Sequence, residues 1–480
     1  MKGQHLIGGD WLAGQNLTPD INPSNLNEVV GEFPRGSAEI VDQAVAAARA
    51  AQPGWNALSI QRRHDILFRA GDLLLARKDE IGRILSREEG KTLAEGIGET
   101  VRAGQLFQFF AGELLRLTGD SIRSLRDNVD IEVVREPVGV VGMITPWNYP
   151  IAIPAWKIAP ALAYGNTVVV KPAELVPATA AHLLQALLDA GLPGGVVNLV
   201  FGTGREVGEA IVNHPDVDAI SFTGSVATGR RIAAAAVAGN PMKKLQLELG
   251  GKNPLVVLDD ADFENAVATA VNGAFYSTGQ RCTASSRLIV TEDIHDKFVA
   301  EVTKRMLALK VGDALDPSTE IGPAVDERQL AQNLSYIEIG QKEGAKLLAG
   351  GKKLERSNPG CFFQPAIFTE VSNNSRLARE EVFGPVAAVI RVKNYDQALA
   401  VANDTEFGLS SGICTTSLKY ASHFKRNSKA GMSFVNLPTA GVDYHVPFGG
   451  RRSSSYGSRE QGRYAVEFYT SVKTNYTLPV

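Results

Sequence analysis

The chain has 480 residues, 44% of them apolar and 21% charged, with a formal net charge of −3. At roughly 100–200 residues per domain this means two or three domains with an ordinary globular composition and a large core. Charges of both signs are spread along the chain and no stretch reaches the roughly 20 apolar residues of a membrane helix, so nucleic acid and membrane partners are not expected.

The N-terminus lacks the apolar core of a secretory signal, so a cytoplasmic protein is expected. Leu6-Ile7 and Trp11-Leu12 flank Gly8-Gly9-Asp10 as a hairpin. From about Ile40 to Leu117 the pattern is helical: Val41, Ala44, Val45 and Ala48 share one face, and Ile66, Leu67, Ala70, Leu73 and Leu74 another. Arg87-Glu88-Glu89-Gly90-Lys91 interrupts the run, and its charges read as a solvated face. Ser121 to Leu125 and Val129 to Val133 alternate with period two around Asp127-Asn128, a strand pair able to project from the body.

From Val138 short apolar runs alternate with helical stretches: Val138 to Ile144, Val168 to Val170, Val196 to Phe201, Ala219 to Phe222 and Leu245 to Leu249. Such spacing predicts a buried, mostly parallel, doubly wound sheet, whose ligands bind beyond the carboxyl ends of the strands. Those ends carry Thr145-Pro146-Trp147-Asn148, Lys171-Pro172-Ala173-Glu174, Gly202-Thr203-Gly204, Thr223-Gly224-Ser225 and Glu248-Leu249-Gly250-Gly251. Five polar or glycine-rich turns thus converge on one crevice. A second α/β pattern runs from Arg287 to Gly449, and Ala465 to Tyr476 alternates as a strand able to join a partner's sheet edge.

Several residues in these turns suit chemistry. Gly202, Gly204 and Gly208 form GxGxxxG, one residue longer than the usual dinucleotide fingerprint and weak alone. Phe222-Thr223-Gly224-Ser225 ends a strand where a helix opens, a better cradle for a pyrophosphate. Lys171 and Glu174 could meet adenosine ribose hydroxyls. Glu248, beside two glycines, has the open surroundings a general base needs to reach water. Asn148 offers an amide donor for an oxyanion. The three cysteines, Cys282, Cys361 and Cys414, form neither a CxxC pair nor a metal-like spacing with histidine, so free thiols and no metal site are expected. Cys282 stands out because Gly279-Gln280-Arg281-Cys282-Thr283 is a glycine-started loop between a helical and a strand-like segment.

Taken together, seven segments resemble the aldehyde dehydrogenase superfamily over nearly the whole chain: Thr145 to Pro150, Lys171 to Glu174, Phe222 to Ser225, Leu247 to Lys252, Gly279 to Cys282, Glu380 to Pro385 and Pro447 to Gly450. The resemblance implies two doubly wound α/β domains plus a small β oligomerisation arm. Residues 1–118 and 138–247 would bind dinucleotide, 248–463 would be catalytic, and 119–137 with 464–480 would assemble a homodimer or homotetramer. It implies an NAD- or NADP-dependent, non-acylating oxidation of a small-molecule aldehyde. Cys282 would be the nucleophile, Asn148 the oxyanion donor, Glu248 the base that activates water, and Lys157 a proton relay. Thr145, Pro146, Trp147, Ala173, Leu249, Gly250, Glu381 and Phe383 would join the residues above around the coenzyme. Trp156, Arg281, Thr283, Phe448 and His445 would face the substrate.

Within the superfamily, Gln280 to Arg287 with Ile151 to Lys157 is most similar to a bacterial α-ketoglutarate semialdehyde dehydrogenase branch. Arg281, next to the thiol, suits a carboxylate-bearing aldehyde. Trp156 stands where succinate semialdehyde enzymes carry arginine, and it resembles the aromatic position of betaine- and amino-aldehyde enzymes, which makes a cationic substrate the runner-up. A cysteine esterase, the reading from another class, has no use for the five-turn crevice.

Overall fold

The computed structural model describes residues 3–480. Its first sheet has eight strands. Five run parallel through its middle, in the order Lys244–Glu248, Ala219–Thr223, Val140–Ile144, Thr167–Lys171 and Val197–Leu199. Their residues are nearly all buried, as expected of strands covered by helices on both faces. The register makes the carboxyl ends level: Thr223 pairs with Glu248, Phe222 with Ile144, and Ile144 with Lys171. This alignment brings the predicted turns to one edge.

The hairpin His5–Ile7 and Asp10–Leu12 forms as expected, turning through Gly8 and Gly9 at φ +67° and +101°, and adds antiparallel to Val197–Leu199. At the opposite edge Ser455–Tyr456 pairs with Lys244–Glu248, which sets Ser455 opposite Glu248. The polar run 451–462 therefore returns from the second half of the chain to the first sheet. Four helices, Ala38–Ala57, Ile60–Ala76, Lys78–Glu89 and Leu93–Leu114, fill the predicted helical region. The solvated reading of 87–91 is corrected: Glu88, Glu89 and Lys91 are 1%, 1% and 2% exposed. Glu88 accepts from the amides of Ala178 and Thr179 at the start of the helix Pro177–Asp189, where the helix dipole favours a carboxylate.

The second sheet has seven strands, in the order Lys346–Ala349, Ala366–Thr369, Val386–Val392, Arg287–Thr291, Pro254–Val257, Ser410–Cys414 and Met432–Val435, all parallel except the first. A three-stranded antiparallel arm is formed by Asp120–Arg123, Asp130–Pro137 and Thr470–Thr477. The C-terminal stretch reads as a strand able to join a partner's sheet edge, and it is an outer strand of this arm. Here it pairs along its whole length with Asp130–Pro137 of its own chain, since the two alternating segments offer each other complementary ladders. Among the described residues, no helix is long and apolar enough to cross a membrane.

Candidate active site

Beyond the level strand ends lies a crevice of about 600 Å³. It is lined by Thr145, Pro146, Trp147, Asn148, Lys171, Ala173, Glu174, Gly204, Phe222, Thr223, Gly224, Ser225, Leu249, Gly250, Glu381, Phe383 and Cys282. One volume thus gathers all the residues proposed for coenzyme except Gly202 and Gly208. Gly202 borders a neighbouring depression with Thr203. Gly208 is buried behind Ile144, in a π-turn that precedes the helix Glu209–Asn213.

The loop that carries Cys282 is held from several sides. Ser277 and Thr278 adopt φ of +52° and +55°, a conformation non-glycine residues rarely take, and Gly279 follows at +62°. A Cβ at Gly279 would stand 2.4 Å from the Gly384 backbone, so the loop needs glycine there. Glu95 accepts from the Ser277 amide at 2.9 Å and its hydroxyl at 2.7 Å. Asn253 donates to the Cys282 carbonyl at 2.8 Å, and Gln280 accepts from the Val325 amide at 3.0 Å. Asn148, 4% exposed, donates through Nδ2 to the Gln280 carbonyl at 3.0 Å, tying the first strand end to the cysteine loop. Cys282 itself is half-buried, while Cys361 and Cys414 are fully buried. Burial pushes the Cys282 thiol up, Glu381 and Glu248 push it further, and its own backbone N–H offsets part of the shift.

Glu248 is 2% exposed and accepts from the Ser455 hydroxyl at 2.6 Å. Burial, then the nearby Glu460 carboxylate, raise its carboxyl well above the ordinary range, against the pull of Ser455 and Lys157. Lys157 is fully buried. Its ammonium contacts Glu460 and donates to Ser221 at 2.8 Å, and Ser221 donates to Gln246 at 2.9 Å. Two carboxylates therefore share the field of one lysine. Glu460 was not singled out from the sequence, because it lies in a polar run that reads as surface loop. A signal existed: Lys157 is the lone charge in Ala152–Ala163, a helix whose every residue is buried, and such a charge requires a partner. Lys157→Met, which strands Glu460, is expected to cost about 3–5 kcal/mol in denaturant unfolding. Adding Glu460→Gln should recover much of that loss.

Glu99 and Lys91 were also missed. Lys91 donates to Glu99 at 2.7 Å and to the Asn148 carbonyl at 2.8 Å, and it lies 4.0 Å from the Tyr149 ring centroid. Glu99 accepts from the amides of Ile151 and Ala152, both at 3.0 Å. This buried pair fixes the backbone from the Asn148 carbonyl to Ala152, and so holds the turn that carries the Asn148 amide. Burial pushes Glu89 up to about 8, partly countered by Lys91.

On the coenzyme side, Lys171 stands 3.7 Å from Glu174, which accepts from the Gly204 amide at 3.0 Å. Burial lowers the Lys171 ammonium and Glu174 partly restores it. Ser225 caps the helix Val226–Ala238 by accepting from the Thr228 amide at 3.3 Å, leaving the start of that helix facing the crevice. Glu381, half-buried, accepts from the Gly251 amide at 2.8 Å; burial pushes it up to about 7. Phe383, at φ +58°, meets Trp147 edge-on with centroids 5.2 Å apart. A crevice with a carboxylate near each end, a helix start between them and an aromatic pair at the inner end fits a dinucleotide.

The substrate residues divide. Trp156 and Phe448, both 6% exposed, stack with centroids 5.4 Å apart. Thr283 is buried and its carbonyl accepts from Thr439. Arg281 is half-buried and, among the described residues, is not paired with an acid; its guanidinium donates to the Asn272 carbonyl. His445 is exposed, and its ring meets that of Tyr444 with centroids 5.8 Å apart.

The aldehyde dehydrogenase family model matches residues 11–475. An α-ketoglutaric semialdehyde dehydrogenase of Bacillus subtilis is 44% identical over 479 residues, covering 99% of this chain and 98% of that protein. A solved betaine aldehyde dehydrogenase of Staphylococcus aureus, in complex with NAD+, superposes with a TM-score of 0.96 at 34% identity, covering 99% of this chain and 95% of that one. An NADP-dependent enzyme of Escherichia coli gives 0.96 at 35% identity, covering 100% and 98%. Sequence and architecture agree along essentially the full length, and the chain belongs to the aldehyde dehydrogenase family as an NAD(P)-dependent oxidoreductase.

Proposed function

We propose that the chain oxidises α-ketoglutarate semialdehyde to 2-oxoglutarate through a thioester on Cys282. The observation that carries this reading is Arg281, the residue before Cys282, which is half-buried and pairs with no acid among the described residues. The semialdehyde dehydrogenase of Bacillus subtilis supports it at 44% identity.

The chemistry follows from the residues. Burial raises both Cys282 and Glu248; when Glu248 is ionised, a proton passing from the thiol to its carboxylate moves one negative charge onto sulfur and leaves the net charge of the buried network unchanged. The thiolate adds to the aldehyde carbon, and the oxygen takes the negative charge, held by the Asn148 amide and the Cys282 backbone N–H. Collapse of this thiohemiacetal to a thioester requires loss of a hydride, for which a bound nicotinamide coenzyme would supply the acceptor. Glu248 then removes a proton from water, which attacks the thioester; the carboxylate departs and the thiolate is restored. Lys157 and Glu460 offer the proton a buried route away from Glu248. Lys171, Glu174, Ser225, Glu381 and Phe383 would hold the coenzyme.

A betaine or amino aldehyde is the second reading, because the stacked Trp156 and Phe448 rings could face a cation. Arg281 repels such a substrate. The test is reduced-dinucleotide formation over carboxylated, cationic and neutral aldehydes. The carboxylated semialdehydes should lead in kcat/KM by at least about tenfold. Arg281→Ala should raise their KM about 10–100-fold, the scale of one charged hydrogen bond. An unchanged KM removes the carboxylate anchor. The arm at 120–137 and 470–477 exposes Ile122, Val472 and Tyr476, and we propose that it assembles a homodimer or homotetramer.

A further inference from the structure

We infer that the protein holds one small monovalent anion, of halide size, in a chamber lined by Lys252 and Ser410 and separate from the coenzyme crevice. The chamber forms where two parallel strands begin. Leu255 of the strand Pro254–Val257 pairs with Gly412 of the strand Ser410–Cys414, so Asn253 and Ser410 stand level, and Asn253 Oδ1 accepts from the Ser410 amide at 3.0 Å. The ends of the helices Tyr395–Asn403 and Leu418–Asn427 close it with Ala402, Asn403, Ser428 and Lys429. The space is about 10 Å³, room for a single particle near the size of water. None of its lining residues lines the crevice. It adjoins an open depression of about 580 Å³, with which it shares Asn403, Thr405, Lys429 and Arg452.

The lining sets the sign of the occupant. Lys252, Lys429 and Arg452 line the chamber and no carboxylate does, which disfavours a cation. Lys252 is 1% exposed and, among the described residues, its ammonium makes neither a hydrogen bond nor an ion pair. The other buried lysines all have acceptors: Lys91 on Glu99, Lys157 on Glu460, Lys171 on the Pro172 carbonyl, and Lys243 on the carbonyls of His214 and Val217. The groups near Lys252 that could accept are engaged elsewhere. Arg287 binds the Val401 and Ala402 carbonyls, and Arg452 those of Asn403 and Thr405. Glu381 accepts from the Gly251 amide, and Glu380 from Arg376 and Tyr336. Burying an ammonium without an acceptor is costly, so the chamber needs one from outside the chain.

Ser410 supplies a second donor. Its hydroxyl is buried without a partner, and the side chain lines the same space. An ammonium and a hydroxyl, both without an acceptor, suit an anion; water brings an acceptor but no charge. Phosphate, sulfate and carboxylates, with three or more heavy atoms, exceed the space. The residues on either side of Lys252 lead to the active site, since Gly251 donates to Glu381 and Asn253 donates to the Cys282 carbonyl. A bound anion would brace this turn.

Bromide is the probe. Crystals of the wild type grown in sodium bromide should show an anomalous peak at the bromine edge in contact with Lys252 Nζ and Ser410 Oγ. In solution, at constant ionic strength against the bulkier gluconate, bromide should raise the Tm of the wild type along a saturating curve. Burial and the Arg287 charge lower the Lys252 ammonium to about 7, against the pull of Glu381 and Glu380. The anion binds the charged form, so its affinity should be level at lower pH and fall about tenfold per pH unit above about 7. Lys252→Met should abolish the response and keep the Tm measured in gluconate, because it removes an uncompensated charge. Ser410→Ala should weaken the apparent affinity several-fold. A chamber that holds only water in the bromide crystals overturns the inference, as does an equal Tm response in Lys252→Met. Ser410→Ala leaves the lysine in place; if Lys252→Met does not fold, an unchanged affinity in Ser410→Ala overturns it instead.

Discussion

Cys282→Ser is expected to lower kcat for aldehyde oxidation by about four orders of magnitude or more, with dinucleotide binding retained. An aldehyde is a poor hydride donor until a nucleophile adds and charges its oxygen. Serine sits in the same loop but ionises far above the thiol, so addition stops. The loop geometry does not depend on the sulfur: Glu95, Asn253 and Gln280 hold it through other atoms. Steady-state kinetics and a dinucleotide titration on the same preparation separate lost chemistry from lost structure. Turnover near that of the wild type would remove Cys282 from the mechanism.

Glu248→Gln should lower kcat about 10²–10⁴-fold, the usual range for a general base. A rapid burst approaching one reduced dinucleotide per site should precede slow turnover, because the thioester forms and then waits for water. If the burst slows in proportion to kcat, the role of Glu248 lies in thiol deprotonation instead. The pH profile offers a signed check. Glu248 acts when deprotonated, and burial together with Glu460 raises its carboxyl, so the ascending limb of kcat should lie above the ordinary carboxylate range. Glu460→Gln removes a like charge and should move that limb to lower pH. Ser455→Ala removes a hydrogen bond that favours the charged form and should move it to higher pH. Shifts in the same direction for both variants would show that the limb does not belong to Glu248.

How far each residue was legible depends on how local its signal is. The parallel strands were readable because a strand covered on both faces has to be continuously apolar, and the glycine and polar turns between the runs mark where each one stops. The hairpin at Gly8-Gly9 and the strand pair around Asp127-Asn128 were legible from equally local patterns. The charges at 87–91 misled, since a charged run between helices is usually solvated. Here Lys91 finds Glu99 eight residues on and the Asn148 carbonyl fifty-seven residues on, distances no local pattern reports. Glu460 was hidden in the same way: it meets Lys157 across 303 residues.

The order of elements, the turns at the strand ends and the glycine-started loop that carries Cys282 were determined by the sequence itself, because periodicity, glycine placement and residue chemistry act over a few neighbours. Tertiary structure decided which charges are buried together. The register of the first sheet levels Lys171, Thr223 and Glu248 at one edge. The return of Ser455–Tyr456 to that sheet sets the hydroxyl against Glu248, and the helix Leu93–Leu114 carries Arg102 to Gln461, beside Glu460. Desolvation and Coulomb fields depend on distance in space, and only the folded chain defines that distance.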